Sequence, residues 1–342
     1  MRSTRSLFAQ AKRQTGGAIR FASSQERVLI TGAIGQIGLE LLPLLRSKYG
    51  QDNVFATDVR KAPANMSKGP FKFVDVLDSP ALSKIVVEEN ITTIIHLAAI
   101  LSATGEANPH LALKINNEGT QNVLEICRLH KLKLFVPSTI AVFGPSSPMQ
   151  NTPDDCILRP ISMYGITKIN TELLAEYYHA KFGLDVRSLR YPGVISAHSM
   201  PGGGTTDYAV DIFHKAVTQN SFNCFLSENT MLPMMYMPDL LKATVDLLEA
   251  DPKLLKRRVY NLAAFSITPK VLASTIKKHS PGFSMTFNPD FRQKIADSWP
   301  DSIDDSLARK EWGWKPDYNV ESMTEDMIRI LREKYSNSEE EQ

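Results

Sequence analysis

Val28-Leu29-Ile30-Thr31-Gly32-Ala33-Ile34-Gly35-Gln36-Ile37-Gly38 is the stretch on which the fold turns. Its apolar, β-branched start reads as a buried parallel strand. Glycines at i, i+3 and i+6 then allow a sharp turn and a close backbone approach to a pyrophosphate at a helix N-terminus. A glycine-rich turn can also simply end a strand, so the spacing needs support from further along the chain.

That support comes from both sides of the next strand. Ile37, Leu41, Leu44 and Leu45 share one helical face, as a βαβ crossover helix requires, while Pro43 predicts either a kink within it or a lost hydrogen bond. The second strand, Val54-Phe55-Ala56-Thr57, ends at Asp58. A carboxylate at that tip accepts hydrogen bonds from ribose hydroxyls and repels a 2′-phosphate, which favours NAD over NADP, although Arg60 and Lys61 pull the other way. A third strand, Phe71 to Val74, leads into Asp75-Val76, which would meet an adenine edge or form an ordinary turn. Ile94-Ile95-His96-Leu97-Ala98-Ala99 is a further strand with small residues at its end, and His96 reads as packed rather than catalytic. A helix through Asn116 to Ile126, the strand Leu134-Phe135-Val136 and then Pro137-Ser138-Thr139 continue the alternation. Strands alternating with helices predict an α/β fold, a doubly wound parallel Rossmann sheet with ligands at the strands' C-terminal ends.

Composition narrows the function. With 342 residues the chain buries an ample core without staples, and 39 basic against 37 acidic residues give none of the charge excess expected for nucleic acid or an anionic membrane. Cys127, Cys156 and Cys224 are widely spaced and the histidines are scattered, so no metal site is expected. No apolar run is long enough to span a membrane. Residues 1–24 carry Arg2, Arg5, Lys12, Arg13 and Arg20 and no acidic residue, which resembles a mitochondrial targeting segment and predicts a matrix location; a disordered basic tail reads similarly.

Tyr164-Gly165-Ile166-Thr167-Lys168 places a phenol and an ammonium four residues apart on a helix face. A free tyrosine ionises near pKa ~10, so a tyrosine base working near neutrality needs about 4 kcal/mol of phenolate stabilisation, which Lys168 and a cofactor's positive ring could supply.

Taken together, the glycine turn, Asp58, His96-Leu97-Ala98-Ala99, Ser138-Thr139 before Val142-Phe143-Gly144, Tyr164 and Lys168 resemble the extended short-chain dehydrogenases/reductases. The resemblance runs from about residue 27 to 332 and includes the closing segment Leu307 to Pro316. It implies that Thr139, with Ser138 beside it, polarises the substrate oxygen, that Tyr164 is the acid/base, and that Lys168 binds the nicotinamide ribose. NAD would be held by Gly32, Ile34, Gly35, Gln36, Ile37, Asp58, Val59, Asp75, Val76, Leu97, Ala98, Ala99, Asn116, Tyr164, Lys168, Tyr191, Pro192 and Val194. The loop Pro201 to Tyr208 and the segment Ser298 to Asp305 are similar to the threonine-oxidising branch of that family. That likeness implies L-threonine as substrate, held by Ser102, Ser138, Thr139, Tyr164, Gly203, Gly204, Thr205 and Thr206. UDP-sugar epimerases and dehydratases are the alternative. They would be expected to show arginines for a second diphosphate, and Arg257, Arg258, Arg292 and Arg309 keep that reading open. The resemblance also implies a homodimer through residues 112–130 and 165–182. The expected division is a targeting segment at 1–24, an NAD-binding domain at 25–190, a smaller substrate-binding α/β lobe at 191–332 and a polar tail at 333–342.

Overall fold

The opening stretch can be buried on both faces, and a parallel sheet buries it so. In a computed structural model, which describes residues 26–63, 68–200, 202 and 204–340, β1 (Val28–Thr31) is wholly buried. The expected targeting segment, 1–24, lies outside the described residues. From β1 the chain passes through α1 (Gln36–Tyr49) to β2 (Val54–Asp58) and the edge strand β3 (Phe71–Phe73), then α2 (Ser79–Glu88) and β4 (Thr93–His96). Two short helices, α3 (Ser102–Ala107) and α4 (Pro109–Leu113), lead through a π-helical turn at Lys114–Glu118 into α5 (Gly119–His130). Next come β5 (Lys133–Phe135), β6 (Ser138–Thr139), the long α6 (Met163–Phe182) and β7 (Val186–Tyr191).

The remainder builds the second lobe and returns once to the first. It contains β8 (Gly193–Ile195), α7 (Tyr208–Thr218), β9 (Ser221–Cys224), β10 (Leu232–Tyr236), α8 (Met237–Glu249), β11 (Val259–Asn261) and β12 (Phe265–Ile267). After these follow α9 (Pro269–His279), β13 (Ser284–Phe287), α10 (Arg292–Ala296), α11 (Ser306–Trp312) and α12 (Val320–Glu340).

The main sheet has the order β11-β7-β5-β4-β1-β2-β3, with β6 added beside β7, and its pairings are parallel. Strand order reverses between β1 and β4, and the crevice above the carboxyl ends at such a switch point is where ligands bind in doubly wound sheets. A three-stranded sheet, β12-β10-β8, and a two-stranded one, β13-β9, support the second lobe. The lobes interleave, because β11 pairs with β7 in the main sheet while Thr152 bridges Ile303 of the second lobe.

Two local expectations take a definite form. α1 runs unbroken through Pro43, which sits on its exposed side, where water can reach the Leu39 carbonyl that lost its donor; Leu42 rather than Leu44 joins Leu41 and Leu45 in the core. The polar segment from residue 333 is helical: α12 continues to Glu340, and the Tyr335 hydroxyl lies 2.8 Å from His214 Nδ1.

Candidate active site

The turn after β1 closes tightly because Gly32 takes φ +67° and lies against the Leu97-Ala98 backbone, where a Cβ would come within 2.6 Å of the Ala98 nitrogen. The end of β4 is thereby drawn against the turn. Asp58 fixes it from the other side, its Oδ2 accepting from the Ile34 N–H at 3.0 Å. Its Oδ1 accepts from Arg60 N at 3.0 Å and Arg60 Nε at 3.1 Å, so Arg60 is paired with the carboxylate rather than facing outward as a phosphate ligand.

Above the turn, a cleft runs between the lobes. Its lining takes in Gly32, Gly35, Gln36, Ile37, Leu97, Ala99, Tyr191, Pro192 and Val194 among the expected cofactor residues, together with Tyr164 and Lys168. Ile34, Asp58, Val59, Asp75, Val76, Ala98 and Asn116 do not line it. Asp75 forms a turn by accepting from Leu77 N at 2.9 Å, and the Val76 carbonyl accepts from Asn122 Nδ2 at 3.0 Å. Asn116 is committed elsewhere: its Oδ1 accepts from Ile100 N at 2.8 Å, and its Nδ2 donates to Ile100 O and Thr167 Oγ1, each at 3.0 Å. It ties the segment after β4 to α6.

The cleft suits a dinucleotide. α1 begins at Gly35 with no side chain capping its first N–H groups, and the Gln36 Nε2 amide beside it is buried without a hydrogen-bond partner. Unpaired donors at the mouth of a glycine turn are what a pyrophosphate would satisfy.

α6 brings the reactive side chains to the end of β6. Ser162 caps it by accepting from Gly165 N at 3.1 Å, and Gly165 packs so closely on the strand-end turn that a Cβ would fall 2.1 Å from Ala141 O. That approach puts Tyr164 within hydrogen-bonding reach of Thr139. Burial pushes the Tyr164 phenol up to about 12, with the Thr139 bond pulling it back. Lys168 donates to Pro137 O at 2.8 Å, and its Nζ stands 5.8 Å from the Tyr164 ring centre. Burial brings the Lys168 ammonium down to about 8, against the raising influence of Glu172. In the protein alone, burial therefore outweighs the depression of Tyr164 expected from its neighbours.

Ser138 and Thr139 part company. Neighbouring strand residues face opposite ways, and the buried Ser138 hydroxyl donates to Glu172. Both residues line the cleft, but only Thr139 is within hydrogen-bonding reach of Tyr164.

On the far wall, Ser102 Oγ lies 3.3 Å from Thr205 Oγ1 across the cleft, and both residues are buried. Gly204 and Thr206 also line it, whereas Gly203 lies outside the described residues. Asp207 and Trp299 complete the wall and were missed as site residues. Asp207 Oδ2 accepts from Gly204 N at 2.7 Å, folding the loop back into the cleft, and its position one residue past the threonine pair was the available signal. Trp299 arrives from nearly a hundred residues further on, within the segment Ser298 to Asp305 that was singled out by likeness without being given a contact. The four arginines that kept a sugar nucleotide open are absent from the lining. Arg257 pairs with Asp155, Arg292 with Asp290 at 2.6 Å and Arg309 with Asp305 at 2.7 Å, while Arg258 stands 4.0 Å from Asp185.

Comparison with known proteins agrees with this geometry. The NAD dependent epimerase/dehydratase family matches residues 28–263. The chain is 51% identical over 308 residues to a bovine (Bos taurus) protein named mitochondrial L-threonine 3-dehydrogenase, covering 90% of this chain and 83% of the relative. It superposes on the crystal structure of L-threonine dehydrogenase from Phytophthora infestans with a TM-score of 0.88 and 51% identity, over 90% of this chain and all of that one (100%). A structure described as a monomeric L-threonine 3-dehydrogenase from a metagenome is 45% identical, with a TM-score of 0.87 over 90% of this chain and 99% of that one. The chain thus belongs to the NAD dependent epimerase/dehydratase family.

Proposed function

We propose that this protein oxidises the C3 hydroxyl of L-threonine with NAD+, giving 2-amino-3-oxobutyrate and NADH. The observation that carries the reading is the charge of the cleft. Among the described residues that line it, Lys168 is the only lysine or arginine, and it faces Pro137 and Tyr164. Nothing there matches a second diphosphate, whereas a small zwitterion fits. Asp207 offers a negative charge to the ammonium, and the Ser102, Thr205 and Thr206 hydroxyls offer hydrogen bonds to the carboxylate. The relatives' names point the same way.

Thr139 Oγ1 and the Tyr164 oxygen hold the substrate hydroxyl between them, and Tyr164 as phenolate takes its proton. The Lys168 ammonium favours that phenolate electrostatically and steadies the strand end through Pro137. NAD+, held by the glycine turn from Gly32 to Ile37, would supply the hydride acceptor and a positive charge that favours the phenolate. Trp299 and Leu101 shut water out of the reacting end.

The experiment is a substrate panel with NAD+ and NADP+, read as accumulation of reduced cofactor. L-threonine with NAD+ gives steady NADH formation. A UDP-sugar epimerase would recycle its cofactor and accumulate none, and that result would overturn the reading.

Two narrower readings accompany it. Ile166, Leu173 and Tyr177 form an exposed apolar stripe on α6, with Leu129 exposed on α5. A second copy covering this stripe explains it, and light scattering at micromolar concentration would report a dimer. Residues 1–24 are read as a mitochondrial targeting segment on their composition and on the bovine relative's name. An import assay with isolated organelles tests this by uptake and shortening of the chain.

A further inference from the structure

Lys168 and Glu172 lie one turn apart on α6 and close on the same strand end. Lys168 donates to Pro137 O at 2.8 Å, and Glu172 accepts from the Ser138 hydroxyl. Arg190 stands opposite Ser138 in the β6–β7 register and donates to both Glu172 oxygens, each at 2.8 Å. All of these side chains are buried. The remaining Arg190 donors reach Asp154 O at 2.7 Å and Asn261 Oδ1 at 3.1 Å. Asn261 in turn donates to Thr152 O at 2.9 Å and Asp304 O at 3.0 Å. A continuous polar network therefore joins the strand that carries Thr139 to the segments closing the second lobe. Fixing Ser138 also fixes which way its neighbour points, since successive strand residues face opposite sides.

We propose that Glu172 and Arg190 are positioning residues, a buried clamp that grips β6 through Ser138, holds the Thr139 hydroxyl at Tyr164 and keeps a negative charge beside Lys168. Ser138 lines the cleft, but its hydroxyl is committed to Glu172 and so serves the clamp rather than the substrate. The inference rests on the roles proposed above for Thr139, Tyr164 and Lys168. Facing Lys168 are Tyr164 and Glu172 from its own helix, His96 from β4 and, behind Glu172, Arg190 from β7. His96 is neutral, held by burial near 3, so Glu172 is the one anion in that set. The carboxylate favours the Lys168 ammonium, so its removal makes Lys168 lose its proton at lower pH.

The test uses three variants of the full chain. Glu172→Gln retains the shape but not the charge. It is expected to move the alkaline limb of kcat/KM for threonine down by about one pH unit and to lower kcat about ten-fold. Ser138→Ala retains the charge but not the grip. Its kcat falls about three-fold to ten-fold with threonine KM and the alkaline limb unchanged. Hydrogen exchange of residues 137–142, measured without ligands, quickens about ten-fold in both. Because Glu172→Gln strands a buried Arg190 cation, the double variant Glu172→Met/Arg190→Met removes both charges in a foldable apolar form and is expected to shift the alkaline limb the same way by a smaller amount, since the cation that opposed Glu172 is gone as well. An unmoved alkaline limb in Glu172→Gln and in the double variant overturns the proposal. So does a Ser138→Ala enzyme with raised threonine KM and parental kcat, the mark of a direct substrate contact. If the parent chain makes no NADH from threonine yet exchange at 137–142 still quickens in the variants, the assigned reaction fails and the clamp stands.

Discussion

The two sides of the cleft are built on opposite plans. The cofactor side is backbone architecture: Gly32 against Ala98, α1 opening on bare N–H groups, and Asp58 bonded to the Ile34 amide. The substrate side is assembled from side chains that begin far apart, Ser102 and Thr205 meeting across the cleft with Asp207 and Trp299 beside them. A backbone cradle tolerates little change and accepts one class of ligand. A wall of side chains can be exchanged one residue at a time, which is how one fold serves many substrates.

That contrast can be broken experimentally. The largest effect should come from the hinge between the two sides. Tyr164→Phe is expected to lower threonine-dependent kcat by about 10³-fold while NAD+ binding, followed by tryptophan quenching, stays near the parent value. Parental turnover would remove Tyr164 from the chemistry. On the cofactor side, Gly32→Ala forces a Cβ into the Ala98 backbone at a positive φ. A loss of about 2–4 kcal/mol in urea unfolding, together with lost NAD+ affinity, is expected. On the substrate side, Thr205→Val should raise threonine KM about ten-fold and leave NAD+ affinity and unfolding midpoint unchanged. If this substitution weakened NAD+ as much as threonine, the division into two sides would fail.

A smaller effect concerns pH. Burial places Lys168 near 8 in the protein alone, so its ammonium is complete below that value and disappears as the pH rises through it. Activity supported by the ammonium is therefore lost on the alkaline side, and a kcat/KM profile for threonine should show this descending limb. Lys168→Arg keeps the charge at all working pH values and is expected to abolish the limb, at a cost in kcat from the altered reach. The smallest effect belongs to Arg60→Ala. Arg60 is already tied to Asp58, so the preference for NAD+ over NADP+ should change less than about three-fold.

The same contrast explains what could be read from sequence. Glycine spacing, the position of Asp58 and the alternation of strands and helices are local, and they were sufficient for the sheet and the dinucleotide turn. Tyr164 and Lys168 were legible because a helix converts a four-residue spacing into one face. Ser138 and Thr139 are adjacent in the chain and both line the cleft, so sequence alone could not say that Glu172 takes the Ser138 hydroxyl. Asn116 was legible as important but not as a tether, because its partners Ile100 and Thr167 are brought to it only by tertiary packing. The segment of Trp299 stood out by likeness, but its place on the cleft wall did not, for the same reason.

The π-helical turn at Lys114–Glu118 carries a further consequence. A wide turn holds one more residue than regular winding, so everything before it is rotated by about 100° relative to an uninterrupted helix. Asn116 sits in that turn, and its grip on Ile100 depends on the offset. Deleting a single residue there would return the helix to ordinary phase and swing the amide off its target, even if every remaining side chain were conserved. The constraint on this segment is one of count more than of chemistry. In aligned relatives, insertions and deletions should be rarer across Lys114–Glu118 than substitutions are.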